Sequence, residues 1–308
     1  MTQTVTPPAN RAARNPGLFA GLGAYVLWGF LPLLFHALRS VPPPELIAWR
    51  VVFTLPICLI CVVVAQGQAD LRATLRQRRV LLQLAGSASL IGANWIIYVT
   101  AVVNGHVLAT SLGYYINPLL NVVIGTLFLG ERLRWRQWGA VAIAAVGIAL
   151  LLAGAITMLG TALALAGTFG MYGLSRKMIP VSAITGMTVE TLALYPFAVG
   201  WAVITARMPA GSAMAHGGWV PLLLIISGVA TAIPLMLFAV AARRLTLSTL
   251  GFLQFTAPTL VFLMGVFALG ERLDPLRLAC FVLIWIAVAL FAWDSWQYTR
   301  FLNRPAAS

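Results

Sequence analysis

Charge is what this chain has least of. Of its 308 residues only 9% are charged while 61% are hydrophobic. A soluble domain is roughly 25% charged and about 45–50% apolar. So few ionic groups cannot cover a water-soluble particle of this size, and a disordered chain would depart in the other direction. Acids are scarcer still: 7 Asp+Glu stand against 20 Lys+Arg, for a net charge of +13. The excess is no nucleic-acid footprint, because the cations are spread thinly between apolar runs and form no basic face. Three scattered histidines and seven dispersed acids give neither an H-E-x-x-H zinc spacing nor a Ser/His or Asp pair, so a membrane-embedded enzyme is disfavoured and neither metal nor cofactor is expected. A channel would want charged rings or a polar stripe, also absent. The one lysine, Lys177, follows Arg176, so no G-K-[ST] phosphate loop exists and ATP drive within the chain is excluded. There are three cysteines. Cys58 and Cys61 form a C-x-x-C, but inside the apolar run Leu55 to Ala65, where two inert thiols are expected.

What is present is a succession of long apolar runs. Residues 1–16 are polar, and the stretch Gly17 to Leu38 is too long for a signal-peptide core yet long enough to span a bilayer. Runs of that length predict helices over 17–38, 45–65, 80–103, 107–129, 137–154, 157–175, 183–206, 218–241, 246–269 and 275–294. The cations set the sides. With the N-terminus cytoplasmic, fifteen fall inside: Arg11, Arg14, Arg72, Arg76, Arg78, Arg79, Arg132, Arg134, Arg136, Arg176, Lys177, Arg243, Arg244, Arg300 and Arg304. Four fall outside, Arg39, Arg207, Arg272 and Arg277, while Arg50 lies within the second span. Both termini, 1–16 and 295–308, are therefore expected in the cytoplasm.

The chain repeats itself. Leu129-Gly130-Glu131-Arg132-Leu133 recurs 140 residues later as Leu269-Gly270-Glu271-Arg272-Leu273, and at the same offset Pro118 matches Pro258 and Gly125 matches Gly265. Tyr25-x-x-Trp28-Gly29 is echoed by Phe169-x-x-Tyr172-Gly173. Two five-helix halves, 17–155 and 156–294, follow. Because five is odd, the halves enter from opposite sides and form inverted repeats, the plan of many secondary transporters. The fold class expected is an all-α polytopic membrane protein, ten transmembrane helices in two inverted five-helix repeats.

From Ala24 to Asp294 the sequence resembles the EamA branch of the drug/metabolite transporter superfamily, specifically its RarD-type members. The segments that carry the likeness include Gly92-Ala93-Asn94-Trp95, Ser111 to Pro118, Gly130-Glu131-Arg132, Tyr172-Gly173, Glu190-Thr191-Leu192 and Leu247 to Phe255. The resemblance implies two EamA repeats, a bacterial inner-membrane location and transport of small metabolites or drug-like solutes. The expected partners are the solute, the lipid bilayer and protons, with no nucleic acid; monomer and homodimer both stay open.

Polar groups inside hydrocarbon are costly and mark candidates. Pro118 and Pro258 each free the carbonyl four residues back and are candidate hinges. Asn117 and Asn121 flank the first break and Gln254 the second. With Trp28, Asn94, Trp95, Tyr98, Tyr114 and Tyr172 they form the candidate substrate lining, aromatic surface with polar tips; plain helix packing is the alternative. Glu190, about 10 Å along its helix, is the leading candidate for proton coupling, followed by Glu45 and Arg50. Glu45 also reads as a first-turn acid on the helix dipole, and Glu190 as a structural hydrogen-bond acceptor. Glu131 and Glu271 are expected to cap the helices that follow them, Gly130 and Gly270 to end those that precede. Asp294 is expected to be an interface anchor, and His36 and His106 bystanders near the outer face.

Overall fold

The structure is a computed structural model and describes residues 16–103, 107–152, 159–209, 211–215, 217–267 and 275–302. Expectations for Glu271, Gly270, His106 and the 154 boundary lie outside these residues. The described residues are helical throughout, joined by short turns. The helices are α1 (Pro16–Ala37), α2 (Pro43–Val64), α3 (Gln68–Arg76), α4 (Arg78–Val103), α5 (Val107–Leu129) and α6 (Trp135–Leu152) in the first half. The second holds α7 (Leu159–Met178), α8 (Ala183–Arg207), α9 (Val220–Arg244), α10 (Leu247–Gln254), α11 (Thr256–Phe267) and α12 (Pro275–Leu302).

Local chemistry sets these ends. Proline occupies the first turn of α2 and of α9, where its missing N–H costs nothing. Ser182 caps α8 by accepting from the Thr185 N–H at 3.1 Å, and Thr246 caps α10 by accepting from the Thr249 N–H at 3.1 Å. After α5 the chain turns at Gly130, whose φ of +63° is open to glycine at little cost.

Nine segments among the described residues are long and apolar enough to cross a membrane: α1, α2, α4, α5, α6, α8, α9, α10 with α11, and α12. The expected span 157–175 corresponds to α7, which falls outside that group; its hydroxyls, its glycines and the pair Arg176–Lys177 lower its hydropathy. Two further differences stand out. Residues between 65 and 80, expected as a loop, contain α3, tied to α8 by Asp70, which accepts from Ser182 Oγ (2.9 Å) and Thr185 Oγ1 (2.5 Å). The two prolines are also not equivalent. α5 runs unbroken through Pro118, whereas the second half breaks at Phe255, where a tight turn bonds the Phe255 N–H to the Phe252 carbonyl (3.3 Å) just before Pro258.

Packing relates the halves reciprocally. α2 lies on α8, α6 on α12 and α5 on α10; α1 packs on α9 and α4 on α7; α5 packs on α7 and α1 on α10 and α11. Exchanging the spans of one half for those of the other, in chain order, turns each pairing into another of the set or into itself. Large apolar side chains such as Phe19, Ile60, Leu82, Ile96 and Phe197 stay on the outside, as a hydrocarbon surround requires.

Candidate functional site

The i, i+3 spacings of Tyr25 with Trp28 and of Phe169 with Tyr172 put each pair on one helix face. Phe238 of α9 joins them. Tyr172 stacks on Phe238 with centroids 5.8 Å apart, Phe169 lies 5.2 Å from Phe238, and Trp28 lies 5.8 Å from both Phe169 and Phe238. This aromatic cluster joins α1, α7 and α9 at the centre. The Tyr25 hydroxyl is sealed inside it without a hydrogen-bond partner.

Two crevices flank the cluster. One is lined by Thr54, Trp95, Tyr172, Met187, Glu190 and Thr191 among others; the second by Asn94, Gly113, Tyr114, Asn117, Leu165 and Phe169. Each has room for roughly one water molecule, so the conformation is closed to a solute at both. In the second crevice the Asn117 side-chain oxygen is buried and unpartnered. The Asn94 amide is committed instead to joining helices, donating to the Leu165 carbonyl and to Thr168 Oγ1, both at 2.9 Å.

Glu190 is not a solitary acid. Its carboxylate accepts from Arg176 at 3.3 Å and from the Tyr172 hydroxyl at 3.4 Å, and Ser87 faces it without hydrogen-bond geometry. Arg176, expected as a loop cation, is 1% exposed, and Glu190 is 2% exposed. The guanidinium also donates to the Ala183 carbonyl at 3.2 Å. Gly186 makes room for it, since a Cβ there would overlap the guanidinium. Lys177, the neighbouring cation, donates to the carbonyls of Ala242 and Leu245 at the end of α9.

Glu45 sits elsewhere. Buried in the first turn of α2, it accepts from Ser212 Oγ (2.7 Å), the Ala213 N–H (2.8 Å) and Trp49 Nε1 (3.1 Å). It therefore anchors the connection between α8 and α9, beyond its first-turn dipole position. Arg50, one further turn along, makes no ion pair with it. Its Nε donates to Thr231 Oγ1 at 3.0 Å, and its guanidinium lies over Phe35 and Trp95, within electrostatic reach of Tyr98 and Tyr114.

Asn121 and Gln254 satisfy one another across α5 and α10, the Asn121 amide donating to Gln254 Oε1 at 3.1 Å. Glu131 corrects an expectation. It caps not the helix that follows it but α10 in the other half, accepting from the Leu247 N–H (2.6 Å), the Ser248 N–H (3.0 Å) and Ser248 Oγ (2.7 Å). A helix N-terminus welcomes an acid wherever the fold brings one. Glu131→Ala is expected to lower stability by about 2–3 kcal/mol, read as a lower melting temperature in detergent. An unchanged melting temperature would show that water replaces the carboxylate. Asp294, expected as an interface anchor, is buried and pairs with Arg134 at 2.5 Å.

The structure thus gathers Trp95, Tyr172 and Glu190 on one side of the cluster, to which Trp28 itself belongs, and Asn94, Tyr114 and Asn117 on the other. It sets Tyr98 beside Arg50, and places Asn121, Gln254 and Glu45 in contacts between helices or with a loop. Arg176, Phe169, Phe238 and Thr231 were not singled out. Only the echo of Phe169-x-x-Tyr172 hinted at Phe169.

Comparison with known proteins agrees with this architecture. The model of the EamA-like transporter family matches residues 15–153. An uncharacterized transporter of Pseudomonas aeruginosa is 42% identical over 94% of this chain and 97% of its own length. Protein RarD of Escherichia coli is 40% identical over 91% and 94% respectively. A Pseudomonas aeruginosa protein named chloramphenicol-sensitive protein RarD is 31% identical over 92% and 96%. A crystal structure of 21% sequence identity superposes with a TM-score of 0.73, covering 91% of this chain and 99% of its own, which shows a shared fold. With this likeness and its membrane-length helices, the chain belongs to the EamA-like transporter family, among its RarD-type members, as a multi-pass inner-membrane transporter.

Proposed function

We propose that the protein is a secondary transporter, working as an exporter of small metabolites or drug-like solutes by alternating access. It would have ten spans in two inverted halves, 17–155 and 156–294, with the tails 1–16 and 295–308 in the cytoplasm. The observation that carries this reading is the reciprocal packing of the halves around the central aromatic cluster. A solute site between inverted halves is the usual solution of such folds, and two narrow crevices on either side of one cluster suit a barrier that opens alternately. Trp28, Asn94, Trp95, Tyr98, Tyr114, Asn117 and Tyr172 are proposed to meet the solute, and Asn121 and Gln254 to hold the helices that move. Pro118 and Pro258 remain the proposed hinges. Replacing both by Ala is expected to leave insertion intact and slow transport; wild-type turnover would show that they only pack.

Proton coupling is proposed for Glu190. A proton on its carboxyl would release Arg176 and loosen α7 from α8 beside one crevice. Arg50 and Glu45 are secondary candidates, and Glu45's role in the α8–α9 connection suits an anchor better. The test is a solute panel in proteoliposomes with and without a pH gradient. Gradient-stimulated flux in the wild type, lost in Arg176→Gln/Glu190→Gln, is the expected result. Coupling that survives in that variant would sink the assignment.

A further inference from the structure

Arg50 of α2 has no acidic partner among the described residues. Arg50 is pinned on one side only: Nε bonds Thr231 Oγ1, whose own hydroxyl proton goes to the Ser227 carbonyl at 2.7 Å. Among the described residues no hydrogen bond engages its two terminal nitrogens. Each described acid is taken elsewhere: Glu45 by Trp49, Ser212 and Ala213, Asp70 by Ser182 and Thr185, Glu131 by Leu247 and Ser248, Glu190 by Arg176, Asp294 by Arg134. The guanidinium carbon lies 5.2 Å from the Phe35 ring and 5.5 Å from the Trp95 ring, with Tyr98 and Tyr114 in electrostatic reach. Tyr114 borders the crevice of Asn94 and Asn117 yet keeps 51% of its surface open, while its neighbours Gly113 and Asn117 are buried. Arg50 itself is only partly buried.

We infer that Arg50 receives the carboxylate of the transported solute, a small organic monoanion whose apolar body packs among the rings of Phe35, Trp95, Tyr98 and Tyr114. This rests on the transport reading and names its substrate class. The planar fork of a guanidinium matches a carboxylate, and the fixed Nε contact orients it. A single uncompensated cation balances one negative charge, which favours a monoanion over a phosphate dianion. The surrounding rings supply apolar area with polar tips, suited to a flat or apolar remainder. The Phe35 and Trp95 faces shelter the cation until the anion arrives.

The probe is radiolabelled benzoate, in equilibrium dialysis against the purified full-length protein in detergent. Saturable binding is expected, displaced by unlabelled benzoate and not by benzyl alcohol or inorganic phosphate. Arg50→Gln should weaken it by about tenfold or more, and Arg50→Lys, which keeps charge without the fork, by less. The wild-type competition needs no variant to fold. The inference is overturned by absence of saturable binding below about 10 mM, by displacement with benzyl alcohol or phosphate as effective as with benzoate, or by wild-type affinity in Arg50→Gln. Arginine would then be a packing pin between α2 and α9. A panel in which only neutral or cationic solutes are carried also overturns the inference while the transport reading stands.

Discussion

Glu190→Gln is expected to destabilise the protein more than Arg176→Gln does, although the two residues share one bond. Breaking a buried ion pair costs about 3–5 kcal/mol because it strands the remaining charge. The two strandings differ. Loss of Arg176 leaves a carboxyl that a proton can neutralise. Loss of Glu190 leaves a guanidinium that stays charged in proteins, 1% exposed and surrounded by α7 and α8. Glu190→Gln is accordingly predicted at the upper end of that range and Arg176→Gln well below it. The double variant Arg176→Gln/Glu190→Gln should recover much of the loss, since neither charge remains. Melting temperatures in detergent for the three variants check this. Equal single effects that simply add in the double variant would mean that the pair is not a coupled buried unit.

The second large effect is predicted where helices of opposite halves touch through glycine. A Cβ on Gly251 of α10 would lie 2.6 Å from the Pro118 carbonyl oxygen and 3.1 Å from the Asn121 Cβ of α5. One on Gly228 of α9 would lie 2.6 Å from the Phe53 Cβ and 2.7 Å from its carbonyl carbon in α2. Backbone atoms cannot swing aside as a long side chain can, so relief requires separating the helices. Membrane helices use glycine at such crossings to bring their backbones together. Gly251→Ala and Gly228→Ala are each expected to cost about 1–3 kcal/mol. Gly200→Ala is the control: nothing lies within 4 Å of a Cβ there, and alanine in a helix is favoured by about 0.5–1 kcal/mol. Thermal stability in detergent should fall for the first two and hold or rise for the third. A fall at Gly200 equal to that at Gly251 would remove packing as the cause.

The helices were legible because hydropathy and length decide them. The expected 107–129 and 183–206 lie within a residue of Val107–Leu129 and Ala183–Arg207. α3 was missed because a short polar helix has no such signature, and its support comes from Ser182 and Thr185, more than 100 residues away. The site was legible by residue type and not by partner. Glu190 stood out as an acid among apolar residues, but its pairing with Arg176 depends on a turn that folds the start of α8 back on the end of α7. Arg176 beside Lys177 looked like a loop pair for the same reason. Glu131 carried the right chemistry for a cap, yet the helix it caps begins 116 residues on. Asn121 and Gln254 each flank a proline, which marked both, while their mutual bond is a product of how the halves meet. Sequence periodicity places a residue on a face; it does not say which helix that face will meet.

Alternating access predicts solute counterflow. Proteoliposomes preloaded with a candidate solute from the panel are diluted into a trace of the same solute carrying a label. A carrier whose site faces one side at a time exchanges label for unlabelled solute, so transient uphill accumulation that saturates with concentration is predicted. Label that enters linearly, without saturation and without dependence on the preloaded solute, would contradict it, as would no entry for any member of the panel.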